Sequence, residues 1–119
     1  MNVWHHYAIV RNGNTFTLYD NGTSVGSVTA SINIPAQGDV FRIGSDGEGY
    51  GVLNGYISNF RVVNGTAVYT SNFTPPTTPL TAIPNTQILL QGLVDRSPNA
   101  FTVTNNGGVT LSTSVSPFA

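Results

Sequence analysis

Trp4-His5-His6-Tyr7-Ala8-Ile9-Val10-Arg11-Asn12-Gly13-Asn14-Thr15-Phe16-Thr17-Leu18-Tyr19-Asp20-Asn21-Gly22 is the stretch that decides the fold class. Two runs rich in aromatic and β-branched residues are separated by Asn-Gly-Asn, and the second run stops at another Asn-Gly. Such a pattern predicts strand, tight turn, strand, tight turn, the start of an antiparallel meander. Val3, His5, Tyr7 and Ile9 share one parity of the first run; Trp4, His6, Ala8 and Val10 share the other. Both faces are partly apolar, as in the central strand of a two-layer sandwich.

Outward from this hairpin, Thr23 to Ala30 continues the meander, and the change of parity between Val25 and Val28 around Gly26 predicts a bulge. Pro35 and Gly38 bracket a loop. Asp39 to Ser45 alternates so that Phe41 and Ile43 are expected to face inward. Asp46-Gly47-Glu48-Gly49-Tyr50-Gly51 has three glycines in six residues and predicts an exposed loop. Val52 to Val63 reads as a strand, and Thr66 to Thr70 as a single helical turn. Pro75, Pro76, Pro79 and Pro84 make residues 71–84 an extended strap lying over a surface, because proline cannot donate to a strand ladder. Thr86 to Gln91 reads as a buried strand, Asp95 to Asn99 as a turn cluster. Ala100–Thr104 and Val109–Ser114 are expected to pair across Asn105-Asn106-Gly107-Gly108. About eight short strands with no convincing helix predict an all-β antiparallel sandwich of the jelly-roll kind. Trp4, Phe16, Leu18, Phe41, Ile43, Ile57, Phe60, Leu89 and Phe101 are its expected core.

A chain of 119 residues is one domain's worth. Charged residues make up 8% of it, against about 25% in ordinary soluble proteins, and Asn, Thr, Ser and Gly take their place. There is no Lys, so Arg11, Arg42, Arg61 and Arg96 are the only side-chain cations. That excludes the clustered basic charge on which nucleic-acid binding depends. The absence of Cys removes disulfides, thiolate nucleophiles and Cys-rich metal sites. No run approaches the ~20 apolar residues of a membrane span, and no basic and then apolar leader is visible. The low charge with abundant Thr and Asn suits a virion or extracellular surface.

Trp4-His5-His6-Tyr7-Ala8-Ile9-Val10-Arg11, Phe16-Thr17-Leu18-Tyr19-Asp20-Asn21-Gly22, Phe41-Arg42-Ile43-Gly44 and Leu53-Asn54-Gly55-Tyr56-Ile57-Ser58-Asn59-Phe60-Arg61-Val62 occur in that order. Together they resemble the second half of a laminin G-like domain of the concanavalin A-like lectin/glucanase fold, over residues 1–70. The continuation Tyr69-Thr70-Ser71-Asn72-Phe73-Thr74-Pro75-Pro76, with Pro79-Leu80-Thr81, is similar to the version found in phage and marine viral structural proteins. Residues 85–119, with Ile88-Leu89-Leu90, Asp95-Arg96-Ser97, Phe101-Thr102-Val103-Thr104 and Ser116-Pro117-Phe118, resemble the opening strands of a following repeat. Three arrangements are compatible with this order: a piece of a longer polypeptide, a permuted sandwich, or a subunit completed by strands of a neighbour.

The resemblance implies a non-enzymatic structural or decoration component of a virion surface or tail, in contact with neighbouring protein subunits in an oligomer or larger assembly. The alternative is a carbohydrate-binding module for host-cell glycans. Its platform would be Tyr50, which glycines flank, with Asp46, Glu48 and Asn54 as hydrogen-bonding partners. Calcium, which laminin G-like domains often hold at a sandwich rim, would look to Asp46 and Glu48, with Asp20 and Asp95 as further carboxylates. No strand carries the spaced carboxylate pair of a glycosidase, and no Ser-His-acid pattern is present, so no enzymatic activity is expected. His5 and His6 are adjacent on a strand and point to opposite faces, which prevents them from sharing one ion.

Overall fold

A computed structural model describes residues 3–34, 41–46, 48 and 50–118. It is all-β, with two antiparallel three-stranded sheets and no helix among the described residues. The first sheet is β1 (Tyr7–Asn12), β2 (Thr15–Asp20) and β3 (Thr23–Thr29) in chain order. β4 (Phe60–Val63), β5 (Thr86–Gln91) and β6 (Val94–Asp95) form the second.

Turn chemistry sets the register of the first sheet. Asn12 pairs with Thr15 and Asp20 with Thr23, so each hairpin turns on two residues. Gly13 sits at φ 61° and Asn21-Gly22 at 49° and 78°. Those left-handed values match the primed turns whose twist suits paired strands, and glycine and asparagine adopt them at the least steric cost. The parity change at Gly26 appears as expected: Leu18 pairs with Gly26 and Tyr19 with Ser24, leaving Val25 as the extra residue of a bulge.

Residues 71–84 form the extended strap, and it is what joins the two sheets. No strand of one sheet lies against a strand of the other among the described residues. On the first sheet, the Phe73 amide donates to the Gly22 carbonyl (2.9 Å) and the Ser24 amide to Asn72 Oδ1 (3.0 Å). On the second, the Leu80 amide donates to Asn59 Oδ1 (3.0 Å), Gln91 Nε2 to the Leu80 carbonyl (2.7 Å) and Arg61 Nη1 to the Thr81 carbonyl (2.9 Å).

Several expectations are corrected. Residues 41–45 and 52–59 are not strand, so the long Val52–Val63 run shortens to β4; Asp39, Val40 and the Pro35–Gly38 loop lie outside the described residues. No helical turn forms at Thr66–Thr70. The Ala100–Ser114 hairpin is replaced by an irregular segment in which Asn105 does a partner strand's work. Its Nδ2 donates to the Val109 carbonyl (2.7 Å) and its Oδ1 accepts from the Val109 amide (3.1 Å). Of the expected core, only Leu89 is buried, together with Val10 and Tyr19, which were not on that list. Trp4, Phe16, Ile43 and Phe60 are half-buried, and Leu18, Phe41, Ile57 and Phe101 are exposed. Phe41 leans on Phe60 at 5.7 Å and Trp4 on Tyr56 at 6.5 Å, pairings too few to close a core.

The surface measures the shortfall. The chain exposes 9021 Å², whereas a compact monomer of its mass exposes roughly 6200 Å². The radius of gyration is 15.1 Å, against about 13.5 Å for a compact domain of this length.

Candidate functional site

The two faces of the first sheet have different fates. One carries His6, Val10 and Tyr19 and is covered by the strap. Phe73 stacks on Tyr69 at 3.6 Å and meets His6 and Tyr19 edge-on at 5.5 and 5.4 Å. The His6 edge also reaches Tyr69 at 6.2 Å. This clasp is the best-packed part of the first sheet.

The other face is open. In register across the strands it carries Tyr7, Ile9 and Arg11, then Asp20, Leu18 and Phe16, then Thr23, Gly26 and Val28. Ile9 is 79% exposed, and Tyr7, Val25 and Val28 are also more than half exposed. Because Gly26 has no side chain, a hollow of about 320 Å³ opens between Ile9, Phe16, Leu18, Val25 and Val28. Its lining is almost wholly aliphatic and aromatic, so it can hold an apolar side chain but makes no polar demand on its occupant. Polar groups sit at the two ends of the face. Arg11 lies over the Phe16 ring at 5.2 Å and bonds the Gly13 and Ile32 carbonyls (2.9 Å each). At the far end His5 stacks on Tyr7 (5.7 Å), and its Nδ1 lies at hydrogen-bond distance from Asp20 Oδ1 (2.9 Å). The two histidines do take opposite faces.

The Tyr50 loop is placed separately. The Leu53 amide donates to the Gly44 carbonyl (2.8 Å) and closes its base. Asp46, Glu48, Tyr50 and Asn54 are all exposed along it, Tyr50 at 87%. The Glu48 amide donates to Asp46 Oδ1 (2.9 Å); Gly47 and Gly49 lie outside the described residues. The described residues contain no group of three His, Asp or Glu side chains that could hold a metal ion. Asp46 and Glu48 would supply two of the carboxylates that a calcium site of six to eight oxygens draws on, and Asp46 Oδ1 also accepts from a backbone amide. Asp20 and Asp95 lie elsewhere, each with its own partners.

Asp95 is the most heavily bonded side chain. Oδ1 accepts from the Leu89 and Ser97 amides and Oδ2 from the Phe101 amide and the Ser97 hydroxyl, each at 2.9 Å. Burial pushes its carboxyl up, but these donors outweigh it and hold the pKa at about 2. With its oxygens tying the segment after β6 to β5, its work is structural. Sequence reading placed Asp95 in a turn but could not see how many donors converge on it, since two of them, Leu89 and Phe101, lie six residues away on either side.

A laminin G-type family model described as the concanavalin A-like lectin/glucanases superfamily matches residues 1–69. No curated protein and no solved structure matches the chain.

Proposed function

Because the chain belongs to the concanavalin A-like lectin/glucanases superfamily over residues 1–69, we propose that it is a non-enzymatic structural module that works by contact with neighbouring protein subunits. Its setting is a virion surface or tail. The observation that carries this reading is the open face of β1–β2–β3: an amphipathic sheet must bury its apolar side against another layer, and the described residues supply none. The excess of exposed surface points the same way. The phage-like Tyr69 to Thr81 segment and the low-charge, Thr- and Asn-rich composition support the virion setting. A non-enzymatic role is supported by the state of the strand carboxylates, since Asp20 is engaged by His5 and Asp95 is saturated by backbone donors. Sedimentation velocity over a range of concentrations tests the reading. Self-association that weakens when Ile9 is made polar is expected; a compact monomer at every concentration would overturn it.

A second reading, a carbohydrate-binding module for host-cell glycans, is favoured by the exposure of Tyr50 beside Asp46, Glu48 and Asn54 on one closed loop. A sugar's apolar face would stack on the phenol ring while the carboxylates and amide take its hydroxyls. Binding on a glycan array that Tyr50→Ala abolishes would support it, and an array on which that variant and the parent give the same pattern would remove the site.

A further inference from the structure

His6 holds a feature that neither packing nor the assembly reading requires. Its Nδ1 is buried and has no hydrogen-bond partner. The ring is the floor on which Phe73 and Tyr69 rest, edge-on to both at 5.5 and 6.2 Å. Its backbone is fixed: the His6 amide donates to Asn21 Oδ1 (3.0 Å) and its carbonyl accepts from the Asn21 amide (2.8 Å). The ring therefore has no freedom to follow a new partner by moving its strand.

We infer that His6 is a proton-sensitive latch for the strap: its neutral ring seats Phe73 and Tyr69 on the first sheet, and its protonated ring releases them. A neutral imidazole leaves a bare lone pair at the buried nitrogen. An imidazolium has an N–H on both nitrogens, so protonation adds a charged donor at a buried nitrogen that makes no hydrogen bond. The groups facing the ring from each neighbouring element worsen this. The strap presents Phe73, the segment before it Tyr69, and β4 the Arg61 guanidinium, a like charge; Tyr19 of β2 meets Phe73. Burial accordingly lowers the His6 pKa from 6.5 and Arg61 lowers it further; its own backbone opposes them at a geometry that leaves the nitrogen unbonded.

The sign follows from linkage. A histidine whose pKa is lower in the closed state binds its proton preferentially when the latch is open. Closure is therefore strongest above pH 6.5 and weakens as the pH falls below it. Release acts on the first-sheet end of the strap, at the Phe73–Gly22 and Ser24–Asn72 bonds, because Phe73 packs on His6 there, whereas Leu80 is held by Asn59 and Gln91. Acid thereby uncovers the His6, Val10 and Tyr19 face and the Ser24 end of β3.

Nuclear magnetic resonance on the whole chain between pH 8 and pH 5 tests this. The readouts are His6–Phe73 ring contacts and the exchange protection of the Phe73 amide, with the Leu80 amide as internal control. Protection at Phe73 is expected to fall up to tenfold for every pH unit separating the closed and open His6 pKa values, while Leu80 does not change. His6→Phe is expected to abolish the dependence and His5→Gln to keep it. Three results would overturn the latch: Phe73 protection that stays level while the His6 ring titrates, loss at Leu80 in step with Phe73, or an unchanged dependence in His6→Phe. A cation–π attraction strong enough to keep the protonated ring under Phe73 would give the first of these. Should His6→Phe fail to fold, the parent chain's ring titration set against Phe73 protection decides alone.

Discussion

Replacing Asp95 by Asn keeps the shape of the side chain and removes its charge. Oδ1 survives and still accepts from the Leu89 and Ser97 amides. An amide nitrogen then occupies the Oδ2 position and faces the Phe101 amide donor at 2.9 Å, so donor meets donor, and the Ser97 hydroxyl must turn entirely to the Gln87 carbonyl. The magnitude follows from the carboxyl itself. A fall from 3.8 to about 2 means that the charged form carries about 2 kcal/mol of stability at neutral pH once partial solvent screening is allowed for. One orphaned backbone donor adds about 1 kcal/mol, for an expected total of about 3 kcal/mol. Urea denaturation at neutral pH measures it, provided the slope is unchanged. A second signature is acid sensitivity. The Asp95 pKa is depressed on folding, so its contribution is complete above pH 3.8 and disappears as the pH falls toward about 2. The variant should lack that component. A loss under about 0.5 kcal/mol, or an acid transition identical to the parent's, would refute the claim that these four donors tie the segment after β6 to β5.

Gly22→Ala should be severe, because its Cβ would overlap the Phe73 carbonyl at a backbone φ of 78°; thermal melts are expected to show a loss above about 2 kcal/mol together with detachment of the strap. Phe73→Ala removes the Tyr69 stack and the His6 and Tyr19 edges and should cost about 3 kcal/mol by urea denaturation. Ile9→Thr should change stability by less than about 0.5 kcal/mol, since the side chain is 79% exposed, yet weaken self-association measured by sedimentation. Calcium should leave the melting temperature unchanged on addition or chelation, and a rise on addition would show that Asp46 and Glu48 find further oxygen ligands.

The first sheet was legible in the sequence because its instructions are local. Asn21-Gly22 dictates a two-residue turn, the turn dictates register, and register places Tyr7, Ile9 and Arg11 opposite Asp20, Leu18 and Phe16. The strap was legible for a similar reason, its prolines forbidding a ladder. Beyond these, alternation states only that a segment could serve as a strand. Phe41-Arg42-Ile43 and Val52 to Asn59 alternate well, but the described residues offer them no partner ladder, and without one the pattern is not realised. The expected core failed on the same ground, since Leu18 lies on the open face of the first sheet and Ile57 on an exposed segment outside either sheet. The His6 clasp was invisible because it depends on rings from a distant segment, and the Asp95 knot because backbone donors on both sides of it converge only in the folded chain. His5 and His6 could be assigned to opposite faces, but nothing in the spacing indicated that Tyr69 and Phe73 would close over one of them.

The strap also settles how this molecule would carry load. Its two moorings differ in kind: aromatic faces and two backbone-level bonds at Gly22 and Ser24, against three bonds from Asn59, Arg61 and Gln91 at Leu80 and Thr81. Between them runs Thr74-Pro75-Pro76-Thr77-Thr78-Pro79, a stretch that proline keeps stiff and extended. Tension drawing the sheets apart therefore reaches the Phe73 mooring with little slack to absorb it. The two moorings lie in series and carry the same tension, so whichever yields first frees its sheet from the strap while the other keeps its hold.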